Sequence, residues 1–360
     1  MSELKQNIIK IRPRENSGSA ASNRFDFQKN WTLCKIIELH EAPDDYLVTL
    51  EFHDDVVVFD SSTNPDKISF YQVKTSKSPN WTINGLISRK KGKNGLLNSH
   101  LGKLYEHLEN FEDSVESLNF VTNNKIKGKL SSGIKCEDTI EFCCNDLDKT
   151  ELDKIIQSLK QEHALNDLKD FSSVTFFKLG ELSIEKHSEL TKIKLAEYIE
   201  KYLPDVKYQI SPLYKSIFDE IKKKSNIEKE ITSFEELKKY KSVSRQDFDS
   251  YLESLNSSNT IKELAVSIEN RLNAEKVDFQ TIKNFRRNSK IYEVKKMTYN
   301  DKSLKNIEKE ISQVIKKLDS DLGLKECSVE VISQLDLNKL VNNDFDKDLI
   351  QTIIFYQLYE

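Results

Sequence analysis

The chain has 360 residues, of which 37% are hydrophobic and 32% charged, and a formal net charge of −4. That length admits two domains, or one large domain with an appendage, and the charge excludes a body that is basic all over, so phosphate contact has to come from a local patch or a bound metal. Nine Gly and six Pro are too few for a turn-rich all-β fold, and no apolar run approaches the roughly 20 residues needed to cross a bilayer.

Met1 to Gln6 lack the apolar core of a signal peptide, so no membrane association and a cytoplasmic location are expected. Ser17-Gly18-Ser19 reads as a helix entry. Phe25, Gln28, Trp31 and Leu33 then recur near helical spacing, Cys34, Ile36 and Ile37 extend the stripe, and Pro43 ends it. Three strand-like runs follow, at 46–52, 55–59 and 68–75. A tight His53-Asp54 corner separates the first two, and the turn-forming segment 60–67 separates the last two. Val56 and Val58 fall on one face and Val57 and Phe59 on the other, which predicts a sheet covered on both sides. A polar loop with Trp81 leads to Arg89-Lys90-Lys91-Gly92-Lys93. A helix is predicted over 96–110 from Leu97, Leu101, Leu104, Tyr105 and Leu108, then strands at 118–122 and 139–144. The order predicts an α/β core with helices on both faces of a mixed sheet.

From Lys149 the pattern is mostly helical, with one apolar run at 174–179 read as an edge strand. Helices are predicted at 189–203, 212–225, 233–240, 244–255 and 260–272. The expected division is a core domain over 1–212 and a helical domain over 213–360. In the latter, Leu304, Ile307, Ile311, Val314 and Leu318 form a seam stepping by three and four. The stretch 349–359 is the most apolar in the chain. It has to be buried on its own domain or on another chain, and it is taken as a docking or oligomerisation segment. The five cysteines, Cys34, Cys136, Cys143, Cys144 and Cys327, have no CxxC pair, which argues against zinc. His100 and His107 share a helix face, but two ligands without a third make a poor metal site.

Chemistry concentrates on the second and third strands. Opposed residues of an antiparallel pair have a constant index sum. A turn centred near residues 63 and 64 sets Asp55 opposite Gln72 in one register and opposite Lys74 in the other. In both, Asp55, Gln72 and Lys74 share a face, because alternate residues point the same way. A one-residue slip would put Asp54 there instead. A carboxylate and an amide oxygen are hard ligands suited to Mg²⁺, with Mn²⁺ as a substitute. A lysine two residues along can steady the attacking water and the developing charge of phosphodiester hydrolysis. The neutral Gln72 predicts weak metal binding that needs further ligands or the substrate phosphate. Lys91 and Lys93 are candidate DNA-phosphate contacts; Trp81 reads as a packing anchor or a base-stacking group.

The segments Arg14-Glu15-Asn16-Ser17-Gly18, Asn23-Arg24-Phe25-Asp26-Phe27-Gln28, His53-Asp54-Asp55-Val56 and Tyr71-Gln72-Val73-Lys74-Thr75 together resemble the Cap-type effector endonucleases of bacterial anti-phage systems, of the restriction-endonuclease-like PD-(D/E)XK superfamily. The likeness continues through Ser99-His100-Leu101-Gly102-Lys103-Leu104-Tyr105 and Lys241-Ser242-Val243-Ser244-Arg245. The resemblance implies a metal-dependent double-stranded-DNA endonuclease with a restriction-endonuclease-like core. Asp55 and Gln72 would hold metal and Lys74 would be the catalytic lysine. Glu15, Gln28 and Glu51 stand as alternatives for a third ligand. It further implies a nuclease subunit of a Lamassu-type complex with an SMC-like ATPase, or alternatively a HerA-like hexameric ATPase. In either case the nuclease would be held inactive until release or homo-oligomerisation. A degenerate nuclease fold used for assembly, and a nuclease acting on RNA, are the competing expectations.

Overall fold

The computed structural model describes residues 17–93, 95–204, 206, 208–297, 301–318, 322–342 and 344–359. Helix α1 (Ser17–His40) buries Phe27, Leu33, Ile36 and Ile37 completely, the spacing of one helical face. Its last turn is closed from far along the chain. The Arg245 guanidinium donates to the carbonyls of Leu39 at 3.3 Å, His40 at 3.5 Å and Asp44 at 2.8 Å, and also to that of Ala42. A cation with five donors suits a helix C-terminus, whose last carbonyls lack partners.

Three antiparallel strands follow, β1 (Leu47–Phe52), β2 (Asp54–Phe59) and β3 (Ile68–Lys74). Phe52 pairs with Asp54, so His53 alone makes the corner, with φ +67°. Glu51 beside it has φ +47°. Both lie in the left-handed region that side chains other than Gly, Asn and Asp avoid. Strand β4 (Val115–Thr122) runs parallel to β3. Strand β5 (Glu141–Cys143) is an antiparallel neighbour of β6 (Thr175–Leu179), which is parallel to β4, and β7 (Ser242–Ser244) pairs with β1. Among the described residues these seven strands form one mixed sheet in the order β7-β1-β2-β3-β4-β6-β5.

Helices α2 (His100–Phe111) and α3 (Lys149–Glu162) cover one face, where Phe70, Leu104, Leu118, Phe120 and Ile155 are packed without exposure. Helix α1 covers the other, with Trp31 against Tyr71 at 5.3 Å between rings. Ile68 to Val73 are therefore all buried, as the two-sided apolar pattern predicts.

Several expected elements differ from the structure. The run 174–179 is not an edge strand: β6 lies between β4 and β5, its backbone bonded to the first in parallel and to the second antiparallel. Helix α2 begins at His100, four residues later than its apolar spacing predicts. Ser99 is the cap, its Oγ accepting from Gly102 N at 2.9 Å while its own N–H donates to Glu162 Oε1 at 2.6 Å. A β-carbon on Gly102 would overlap that carboxylate. Leu96 and Leu97 fall outside the helix, in a ribbon that pairs Lys91 with Leu96. Finally, 244–255 and 260–272 belong to one helix, Arg245–Ala274.

The chain divides into two compact units, one of residues up to Leu195 with Ile221–Arg245, the other of Ala196–Glu220 with Gln246 onward. This differs from a division at residue 212: the exposed edge of β1 takes β7 as a partner, with Thr49 Oγ1 and Ser242 Oγ at 2.7 Å. The second unit is helical. Its core holds Leu304, Ile307 and Ile311 together with Ile350, Ile353, Ile354, Phe355 and Tyr356, each at most 3% exposed. The stretch 349–359 thus places most of its apolar side chains in the core of its own unit. The helix Lys347–Tyr359 packs on helices Phe279–Met297, Lys302–Ile315 and Leu324–Gln334, which buries Leu349, Ile350 and Ile353 to Tyr356. All five cysteines are free thiols.

Candidate active site

The β2–β3 register pairs Val56 with Tyr71 and Val57 with Phe70. Continued by one residue, it sets Asp55 opposite Gln72, the first of the two registers expected from the turn. Phe70 and Val57 point into the core under α2, so Gln72 and Asp55 lie on that same face. There an open cleft of about 450 Å³ is lined by Glu51, Asp54, Asp55, Gln72 and Lys74 from the meander and by Lys103, Glu106 and His107 from α2.

Asp55 Oδ2 accepts from Lys74 Nζ at 2.8 Å and from the Val73 backbone N–H at 2.8 Å. Burial pushes the Asp55 carboxyl above its ordinary range, against the pull of the Lys74 ammonium. Glu51 is exposed at the mouth of the cleft. The protein packed around it and then the Asp55 charge raise its carboxyl too. Asp54 turns to His107, whose Nε2 lies 3.2 Å from its Oδ2 and whose ring stacks on Phe70 at 4.0 Å. Asp55, not Asp54, therefore meets Lys74, and the tight corner brings both carboxylates to one cleft.

Gln72 is 2% exposed. Its Oε1 lies 3.0 Å from His100 Nδ1. An amide oxygen only accepts, so His100 must carry its proton on Nδ1. Burial, reinforced by the positive charges of Lys74, Lys103 and Lys90, lowers the His100 imidazole to about 4, which keeps it neutral near pH 7. Trp81 packs edge-on against His100 and Phe120 at 5.5 and 5.2 Å, the packing anchor of its two expected roles.

Gln28 reaches the same strand from the other face. Its Nε2 donates to the Val73 carbonyl at 2.8 Å, while its Oε1 is buried with no partner among the described residues. Glu15 lies outside the described residues. Lys91 and Lys93 are exposed on the ribbon and do not line the cleft. His100 and His107 are the functional neighbours that sequence reasoning missed. Their shared helix face was legible, and in the structure it sets His100 against Gln72 and His107 against Asp54. The Asn23 and Lys241–Arg245 motifs are architectural. Asn23 and Asn30 hold the His187 ring at 3.0 Å each, and Arg245 closes α1.

An antiparallel meander continued by parallel strands, with the polar cluster on β2 and β3 and helices on both faces, is a restriction-endonuclease-like core. Residues 16–225 match the family described as Cap4, dsDNA endonuclease domain. The chain belongs to this family of DNA nuclease domains. It is also similar to the Lamassu protein LmuA of Bacillus cereus (strain VD014), with 29% identity over 242 residues. That alignment covers 67% of this chain and 64% of the relative's length, just short of two thirds of it. No solved structure matches the chain significantly. Among the described residues, no helix is long and apolar enough to cross a membrane.

Proposed function

We propose that this chain is a metal-dependent endonuclease acting on double-stranded DNA, and that it is the effector subunit of a bacterial anti-phage complex. The observation that carries the catalytic reading is the convergence of Asp55, Gln72 and Lys74 in one cleft, with Lys74 Nζ 2.8 Å from Asp55. The donor set suits Mg²⁺, or Mn²⁺ in its place: Asp55, Glu51 and the Gln72 amide offer only hard oxygens. Gln28, held to the Val73 carbonyl from the other face of β3, does not line that cleft. Among the described residues no three His, Cys, Asp or Glu side chains form a metal-holding group by themselves. The Gln72 amide and a DNA phosphate oxygen would add the further donors such an ion needs.

Such an ion would supply an acidified water and offset charge at phosphorus. The protein groups do the rest. Asp55 and Gln72 would hold the ion, and His100 steadies the Gln72 side chain through its Oε1. Lys74 leaves Asp55 to donate to the attacking water or a phosphate oxygen as negative charge develops.

The likeness to the Lamassu protein supports a defence role in the cytoplasm, with control by an SMC-like ATPase; a HerA-like hexameric ATPase is the alternative controller. Such a nuclease needs control because, free and unspecific, it would cut host DNA. It is held inactive by its partner and switched on by release or homo-oligomerisation. Supercoiled plasmid incubated with Mg²⁺ should be cut by the native chain, and not by Lys74→Ala or after addition of EDTA. Cutting that survives both changes would overturn the site. Co-purification of the full chain from its own operon should retain an ATPase subunit; recovery of the chain alone would refute the complex.

A further inference from the structure

From Lys67 to Tyr105 the chain has no Asp or Glu, although 59 of its 360 residues are acidic, and the same stretch carries eight Lys or Arg. Four of these cations lie between Arg89 and Lys93 and lead into the ribbon in which Lys91 pairs with Leu96 and Gly92 with Gly95. The ribbon is held in shape by its own sequence. A β-carbon at Gly92 would stand 2.9 Å from the Leu97 side chain, and Gly95 has φ +133°, which side chains rarely adopt. Arg89 Nε and Nη2 donate to the Leu97 and Leu96 carbonyls at 3.2 and 3.0 Å. This fixes the two leucines with their side chains in water, 58% and 55% exposed. Single exposed leucines are ordinary. Two adjacent ones, on a pinned ribbon whose opposite arm and turn carry Arg89, Lys90, Lys91 and Lys93, match a ligand that is polyanionic outside and apolar between its layers. Ser99, the cap of α2, follows directly and leads into His100, the neighbour of Gln72.

We propose that this ribbon is a wedge for double-stranded DNA. Arg89, Lys90, Lys91 and Lys93 seat on phosphates, and Leu96 and Leu97 enter between base pairs, opening a step next to the bond presented to Lys74. Unstacking one step is offset by the added contacts of a bent duplex. The proposal rests on the nuclease reading above and adds how the duplex is held.

The test uses the full chain carrying Lys74→Ala, to prevent cutting, and short duplexes containing 2-aminopurine and end-attached dyes. Binding should raise 2-aminopurine fluorescence and shorten the end-to-end distance. The pair Leu96→Ala with Leu97→Ala should lower the fluorescence rise about fivefold and leave the salt slope of binding unchanged. Leu96→Ala alone, which keeps the Gly92–Leu97 contact, should give an intermediate loss. Lys91→Ala with Lys93→Ala should reduce the slope of log affinity against log salt by about two. Equal fluorescence and bending by the double leucine variant at saturation would overturn the wedge. Plasmid cutting by the native chain is read in parallel. Cutting without leucine-dependent unstacking sinks only the wedge, and leucine-dependent unstacking without cutting sinks only the nuclease reading.

Discussion

Lys74 Nζ and Asp55 Oδ2 meet at 2.8 Å, although their strands are joined by a turn-forming loop and they are 19 residues apart in the chain. The pair is partly buried, and burial opposes the Asp55 charge that Lys74 favours. Asp55→Asn keeps an oxygen for the Val73 N–H but removes the buried charge. We expect DNA cleavage to fall about a thousandfold, in the range seen when a transition-state contact is lost. The melting temperature should hold or rise. A clear loss of thermal stability with cleavage retained would contradict this account of the pair.

Gln72→Glu should convert a weak metal site into a stronger one, since ligand charge sets affinity for hard cations. A carboxylate still accepts from His100 Nδ1. Without metal the added charge, at a position 2% exposed, should lower the melting temperature, and Mg²⁺ should restore it. Calorimetric titration showing no tighter Mg²⁺ or Mn²⁺ binding by the variant would remove Gln72 from the ligand set.

His100→Ala frees the Gln72 amide without touching the carboxylates. Losing a group that orients a ligand typically costs about 10- to 100-fold in metal affinity or activity. The expected result is a fall of that size in cleavage rate, with DNA affinity unchanged and partial rescue at high Mn²⁺. Weakened DNA binding with an unaltered rate would mean that His100 contacts substrate instead.

His187 gives the sheet unit an acid-sensitive joint. Burial lowers its imidazole below the ordinary 6.5, more than Asp26 and Glu189 raise it. The unfolded chain then binds the proton more readily than the folded one. Stability is full above about 6.5 and declines as pH falls below it. His187→Gln should flatten that decline in denaturant melts between pH 7 and pH 5, while a variant as steep as the native chain would place the titration elsewhere.

Phe355→Ala opens a cavity in the helical unit, where Phe355 is 1% exposed and packs edge-on against Phe285 at 5.8 Å. A loss of about 3–5 kcal/mol is expected, read as an earlier melting transition of that unit while the sheet unit melts as before. An unchanged melt with a lost partner would instead mark the stretch 349–359 as a docking surface.

Much of the site was legible in the chain because strand geometry is simple. Alternation puts Gln72 and Lys74 on one face, and a turn between two apolar runs leaves only neighbouring registers for Asp55. The apolar faces of 56–59 and 68–73 equally required a covered sheet. Other features arise from residues far apart in sequence. Glu162 and Ser99 start α2 at His100, which frees Leu96 and Leu97 for the ribbon. Ser242 to Ser244 close the sheet edge from far along the chain. The left-handed turns at Glu51 and His53 carry no glycine to announce them.

Local composition thus determined the elements and the three polar groups, since these depend on periodicities of a few residues. Tertiary structure decided which aspartate faces Lys74, that His100 holds Gln72, and that the apolar terminus is core. Those outcomes depend on packing and burial between distant segments, which no short window of sequence encodes.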